Sequence, residues 1–129
     1  MKREIVETKD APAAIGPYSQ AVKAGDLVFA SGQIPLNPKT GELVDGGIEE
    51  QTRQAIENLK TVLEAAGAGL DTTLKAALFI TRMEDFPKVN KVYAELFRGA
   101  NPARSCVAVS ALPKGAQVEI EAIAVRRPA

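Results

Sequence analysis

The sequence predicts an α/β or α+β layer in which two helices pack on one face of a β-sheet. Two segments repeat apolar residues at the three- and four-residue spacing of a helix. Several shorter segments are rich in Val, Ile, Ala and Phe and are bounded by Gly, Pro, Asn or Asp. The helical segments fall among the strand-like ones, in the order β-β-β-α-β-α-β-β, which suits a layered domain.

Each element has its own reason. Residues 4–8, EIVET, read as a weak edge strand. Residues 11–17, APAAIGP, hold two prolines and a glycine and read as a loop. Residues 18–24 and 27–32 flank Gly25-Asp26 and predict a hairpin whose second strand is LVFASG. Pro35, Pro38 and three glycines make residues 33–47 a loop. A helix is predicted over 48–66, because Ile48, Ala55, Ile56, Leu59, Val62, Leu63 and Ala66 share one stripe, with Gly67 as its stop. Residues 74–81, LKAALFIT, read as a buried strand. Asp85 can cap a second helix with Pro87 in its first turn, Val89, Val92, Tyr93, Leu96 and Phe97 on its apolar face, and Gly99 at its end. Residues 104–110 and 117–126 are strands. Two helices cover one face of such a sheet and leave Val, Ile and Ala side chains on the other, so the chain is expected to associate through that face or its edges.

The chain has 129 residues and is 46% hydrophobic, which suits one domain over 1–129. No apolar run approaches the roughly 20 residues of a membrane helix. The charged start, MKREIVETKD, lacks the apolar core of an export signal. A single cysteine cannot form an internal disulfide and fits a reducing compartment, so the expected location is cytoplasmic. Lys+Arg and Asp+Glu both total 16; without a basic excess, nucleic acid is not the expected partner. Histidine is absent. That removes Ser-His-Asp and Cys-His nucleophile chemistry in their usual forms, and His-ligated zinc with them. The lone cysteine removes Cys-rich zinc sites, and no G-x-x-x-x-G-K-[ST] loop is present.

The candidate chemistry lies in PARSCVAVSALPKGAQVEIEAIAV, residues 102–125. Alternation puts Arg104, Cys106, Ala108 and Ser110 on one face of their strand. In the last strand Val118, Ile120, Ala122 and Ala124 point one way, and Glu119, Glu121, Ile123 and Val125 the other. An arginine at the start of an aliphatic strand can grip a carboxylate through two parallel hydrogen bonds, or be a solvated strand-end residue or a structural ion pair. Glu119 can hold or activate a water, or be a polar residue at an oligomer seam. Cys106, with no histidine to activate it, reads as a small buried hydrophobe. Tyr18 and Tyr93 read as core-edge residues, and Lys39 and Lys114 as solvated loop lysines. The residues by themselves reach a self-associating domain with a carboxylate-binding arginine, and no reaction.

Three blocks carry a resemblance: APAAIGPYSQAVKAGDLVFASGQIPLNPKTGEL (11–43), VNKVYAELF (89–97) and PARSCVAVSALPKGAQVEIEAIAVRR (102–127). With these the chain resembles the reactive intermediate deaminase family, Rid or YjgF, over nearly its whole length. An arginine two residues before the cysteine position, here Arg104 and Cys106, looks like the deaminase-active subgroup. The resemblance implies an α+β, chorismate-mutase-like mixed sheet and a homotrimer with clefts between subunits. It implies hydrolysis of 2-iminobutanoate and 2-iminopropanoate to 2-oxo acids and ammonia, with no metal or cofactor. It further implies that Arg104 binds the substrate carboxylate, Glu119 positions water, and Tyr18, Ser31, Gly32, Asn90 and Cys106 line the pocket. A non-catalytic or regulatory trimer that binds small carboxylates is the main rival; a ribonuclease or translation inhibitor fits the balanced charge less well.

The implied sheet puts the strands near 27–32, 74–81, 104–110 and 117–126 in the spatial order first, fourth, second, third, with only the fourth antiparallel. Ser31 and Gly32 then meet Glu119 at one end. Arg104 is expected at the opposite end, roughly 17–20 Å away along the strands, so one site using both groups would draw them from different subunits.

Overall fold

The computed structural model describes residues 1–128. Its elements are β1 (Arg3–Val6), β2 (Ala21–Ala24), β3 (Leu27–Gln33), α1 (Ile48–Ala65), β4 (Thr73–Ile80), α2 (Phe86–Phe97), β5 (Ala103–Ala108) and β6 (Val118–Val125). They form a mixed α+β architecture: one six-stranded sheet in the order β1-β2-β3-β6-β4-β5 with both helices on one face. The four-strand core has the expected order. β6 runs antiparallel to both β3 and β4, and β4 pairs with β5 in parallel.

The helices form where the stripes predict them. Ala55, Ile56, Leu59, Val62 and Leu63 of α1 are fully buried against Val28, Ala76, Leu78, Ile80, Val118 and Ile120 of the sheet. Val89, Val92, Tyr93 and Phe97 bury the inner side of α2. Gly67, at φ +83°, lets the chain leave α1: a side chain there would be strained, and the turn brings the Ala68 amide back to donate to the Leu63 carbonyl at 2.9 Å.

Four local expectations differ from the structure. β1 runs over Arg3–Val6 and ends two residues before the expected Thr8. The strand before Gly25 starts at Ala21 rather than residue 18. Tyr18–Gln20 leave the ladder because other bonds hold them. The buried Gln20 amide accepts from the Thr8 amide and donates to the Thr8 and Pro12 carbonyls, and the Ser31 hydroxyl donates to the Ser19 carbonyl at 2.5 Å. Asp85 stands at the N-cap position of α2 but its side chain makes no capping bond. It closes a short 3-10 turn, Met83–Asp85, and its backbone is already helical, so its carboxylate does not fold back over the first turn. Finally, β5 ends at Ala108, two residues short of the expected Ser110.

The helix-free face keeps apolar side chains. Phe29, 42% exposed, lies opposite Ile123, and Phe79 lies between Glu119 and Val107, itself 47% exposed.

Candidate active site

The first cluster of candidate residues is built by a bulge. Between Ala30 and Gln33 the chain of β3 advances three residues while its partner β6 moves two, from Ala122 to Ile120. The extra residue kinks the strand at Ser31-Gly32. The Glu119 side chain lies directly over Gly32: a Cβ there would stand 2.8 Å from the Glu119 carboxyl carbon and closer still to Oε2. Glycine at 32 is thus needed for space, not for an unusual φ. Glu119 is half-buried, and burial, with a smaller contribution from neighbouring Glu121, pushes its carboxyl above the usual range. No ion pair engages it among the described residues. Tyr18, Ser31, Gly32 and Glu119 come together on the wall of one groove of about 410 Å³, with Ile15 and Pro113 at its margin.

The second cluster lies on the other side of the sheet. Arg104 is paired with Ala76 and Cys106 with Leu78, both buried beneath the helices, so these two side chains of β5 share the helix-covered face. On α2, residues 86, 90, 93 and 97 fall on one stripe through the four-, three- and four-residue spacing. The Arg104 guanidinium carbon lies 4.7 Å from the Tyr93 ring centroid and 5.4 Å from that of Phe86. Asn90 stands between those rings along the helix. The Asn90 Oδ1 and Tyr93 hydroxyl are buried without a hydrogen-bond partner among the described residues. Burial raises the Cys106 thiol above its ordinary range and the nearby Arg104 charge offsets part of this, so the sulfur stays protonated near neutral pH. The motifs point to Arg104, Cys106 and Asn90, whereas in sequence Tyr93 reads as a core-edge residue and Phe86 has no role. The helical stripe linking 86, 90 and 93 was the available signal.

The sheet register corrects the expected distance between the clusters. Ala30 pairs with Ala122, Ala122 with Ala76, and Ala76 with Arg104. Arg104 is therefore level with the residue before Ser31, not at the far end of the sheet. Glu119, opposite Phe79, lies three residues further along, or roughly 10 Å. The expectation assumed that strand ends are level, whereas β5 begins opposite Lys75, two residues into β4. What separates the groups is the sheet itself. β4 stands between β5 and β6, and Arg104 projects to the helix side while Glu119 projects to the open side. Within one chain the groove that holds Tyr18, Ser31, Gly32 and Glu119 does not include Asn90, Arg104 or Cys106.

Residues 8–126 match the family model described as endoribonuclease L-PSP. A RutC family protein of Pyrococcus horikoshii is 53% identical over 124 residues, covering 96% of this chain and 98% of that protein. The 2-iminobutanoate/2-iminopropanoate deaminase of Mus musculus is 47% identical over 126 residues, covering 98% and 93%. Among solved structures, E. coli TdcF with bound serine superposes with a TM-score of 0.91 at 46% identity, covering 96% of this chain and 99% of that one. A family match across almost the whole chain, with relatives near half identity over the same span, means that the chain belongs to the endoribonuclease L-PSP family, the Rid/YjgF family that its motifs resemble.

Proposed function

We propose that this chain, acting as one domain in a homotrimer, hydrolyses small 2-imino acids such as 2-iminobutanoate and 2-iminopropanoate to 2-oxo acids and ammonia. The observation that carries the reading is the division of the candidate residues. A guanidinium with no carboxylate partner among the described residues lies on one side of the sheet, and a carboxyl over a glycine lies in a groove on the other. Each is half of a site for a small carboxylate that must meet water. A neighbouring copy placing its Arg104 side against the Glu119 groove would complete it. Such packing would also cover the exposed Phe29 and Val107.

The chemistry asks little of the protein. Arg104 takes the substrate carboxylate through paired hydrogen bonds and so fixes the imine carbon one bond away. That carbon is already electrophilic, more so when its nitrogen is protonated. Glu119 receives a proton from the attacking water as the C–O bond forms. Glu119 passes that proton to nitrogen; the C–N bond then breaks and ammonia leaves, while the carbinol O–H gives its proton to Glu119 as the 2-oxo group forms, and that proton departs with ammonia as ammonium. Glu119 is suited to this exchange because burial already raises its proton affinity. Tyr18, Ser31 and Gly32 line the water side, and Asn90 and Cys106 the carboxylate side. The reading needs no metal or cofactor. It places the protein in the cytoplasm; no helix among the described residues is long and apolar enough to cross a membrane.

A second reading is supported by the serine in the TdcF structure: a trimer that binds small carboxylates without turning them over. A coupled assay separates the two. The imine is generated with a threonine dehydratase and trapped with semicarbazide; a deaminase slows semicarbazone formation, and a binder leaves it unchanged. In the same assay Cys106→Ser is expected to lower turnover less than about tenfold, since a protonated, partly buried thiol lines the site and does not attack. A covalent adduct on Cys106 in the mass spectrum after turnover would contradict that role.

A further inference from the structure

We propose that Tyr93 and Phe86 are positioning residues: their ring faces hold the Arg104 guanidinium so that its in-plane donors stay free for the substrate. The inference rests on the carboxylate-anchor reading of Arg104 and extends it to residues that reading does not use. Among the described residues five ion pairs are present and Arg104 is in none of them. A half-buried guanidinium must nevertheless be held, because an arginine side chain free to rotate would lose entropy on every binding event. A structural carboxylate would hold it but would occupy the donors that the substrate needs. An aromatic face attracts the cation through its quadrupole and leaves the five N–H groups, which lie in the guanidinium plane, unoccupied.

The geometry meets both requirements. The guanidinium carbon is 4.7 Å and 5.4 Å from two ring centroids, within the range of such contacts. The Tyr93 ring is itself fixed: the residue is 6% exposed and stacks on Phe97 at 4.2 Å between centroids. Phe86 packs against the same core at the first turn of α2. The Tyr93 hydroxyl makes no hydrogen bond among the described residues, so the ring and not the hydroxyl does the holding.

The test uses the full chain and two readouts, imine hydrolysis and binding of 2-oxobutanoate by calorimetry. Tyr93→Leu and Phe86→Leu each remove one ring; each is expected to raise KM and weaken 2-oxobutanoate binding about tenfold while changing kcat little, as for an anchor equally engaged before and during the reaction. Tyr93→Phe keeps the ring and is expected to restore wild-type affinity. Phe86→Leu, nearer the edge of the core, carries the test if Tyr93→Leu fails to fold. Unchanged affinity in a folded ring-deletion variant would overturn the proposal. So would a Tyr93→Phe variant as impaired as Tyr93→Leu, which would move the role to the hydroxyl. If the wild type neither hydrolyses the imine nor binds 2-oxobutanoate, the anchor reading of Arg104 fails and this inference falls with it.

Discussion

Replacing Arg104 with alanine is expected to lower kcat/KM for imine hydrolysis by about 10²- to 10⁴-fold, the loss of two hydrogen bonds to a charged group. No second cation stands ready to replace it: among the described residues the other members of its cluster are Phe86, Asn90, Tyr93 and Cys106, none of them basic. Arg104→Lys is expected to recover little, because a point charge offers neither the planar fork nor the same fit between two rings. The fold should persist in both variants, since Arg104 takes part in no ion pair among the described residues and lies on an edge strand. Steady-state kinetics and a thermal melt check the two halves of this statement. Near wild-type turnover in Arg104→Ala would remove the carboxylate anchor from the account.

The second large effect is expected from one methyl group. Gly32→Ala places a Cβ where the Glu119 carboxyl now lies, 2.8 Å from its carboxyl carbon. Two outcomes are conceivable: the backbone yields, or the side chain does. The Glu119 carboxyl is the far end of a flexible side chain facing a groove, so it swings away and the sheet stays. Because the Gly32 backbone is not in the left-handed region, alanine adds no strain and even narrows the unfolded ensemble slightly. The prediction is therefore a protein with a melting temperature within a few degrees of wild type (~1 kcal/mol or less) and turnover reduced by about 100-fold, the usual worth of a positioned proton acceptor. Carboxylate binding should change little, since in the proposed cleft the carboxylate is held by the Arg104 of a neighbouring copy, whose contacts with Tyr93 and Phe86 the substitution does not touch. A Gly32→Ala enzyme of wild-type turnover would mean that Glu119 need not occupy this position; a badly destabilised one would mean that the backbone gave way.

How much of this was legible in the sequence depends on the length scale. Periods were legible. The stripe from Ile48 to Ala66 and the alternation of Val118, Ile120, Ala122 and Ala124 against Glu119 and Glu121 reflect burial on one side of an element, and burial on one side is what sorts residues into periods. The meeting of Ser31, Gly32 and Glu119 followed from strand order. The level of Arg104 did not. That level is set by where β5 joins β4, with Ala103 opposite Lys75, and such a register leaves no mark in composition. The loop at Tyr18–Gln20 was hidden for a related reason: its backbone is held by the Gln20 side chain reaching Thr8 and Pro12, a long-range arrangement that a local strand pattern imitates. The contact of Tyr93 with Arg104 joins a helix to an edge strand and becomes visible when both are placed.

The central claim is that the two halves of the site come from different subunits. The direct measurement is activity after mixing Arg104→Ala protein with Glu119→Ala protein under conditions that let subunits exchange. In a ring of three with a cleft at each junction, a cleft is whole when an intact Arg104 from one subunit faces an intact Glu119 from the next. Random exchange of equal amounts makes that pairing at about one junction in four. The account therefore predicts two parent proteins of negligible activity and a mixture that rises to about a quarter of wild type as mixed trimers appear in the native mass spectrum. Mixed trimers that form in full yet remain as inactive as their parents would contradict it.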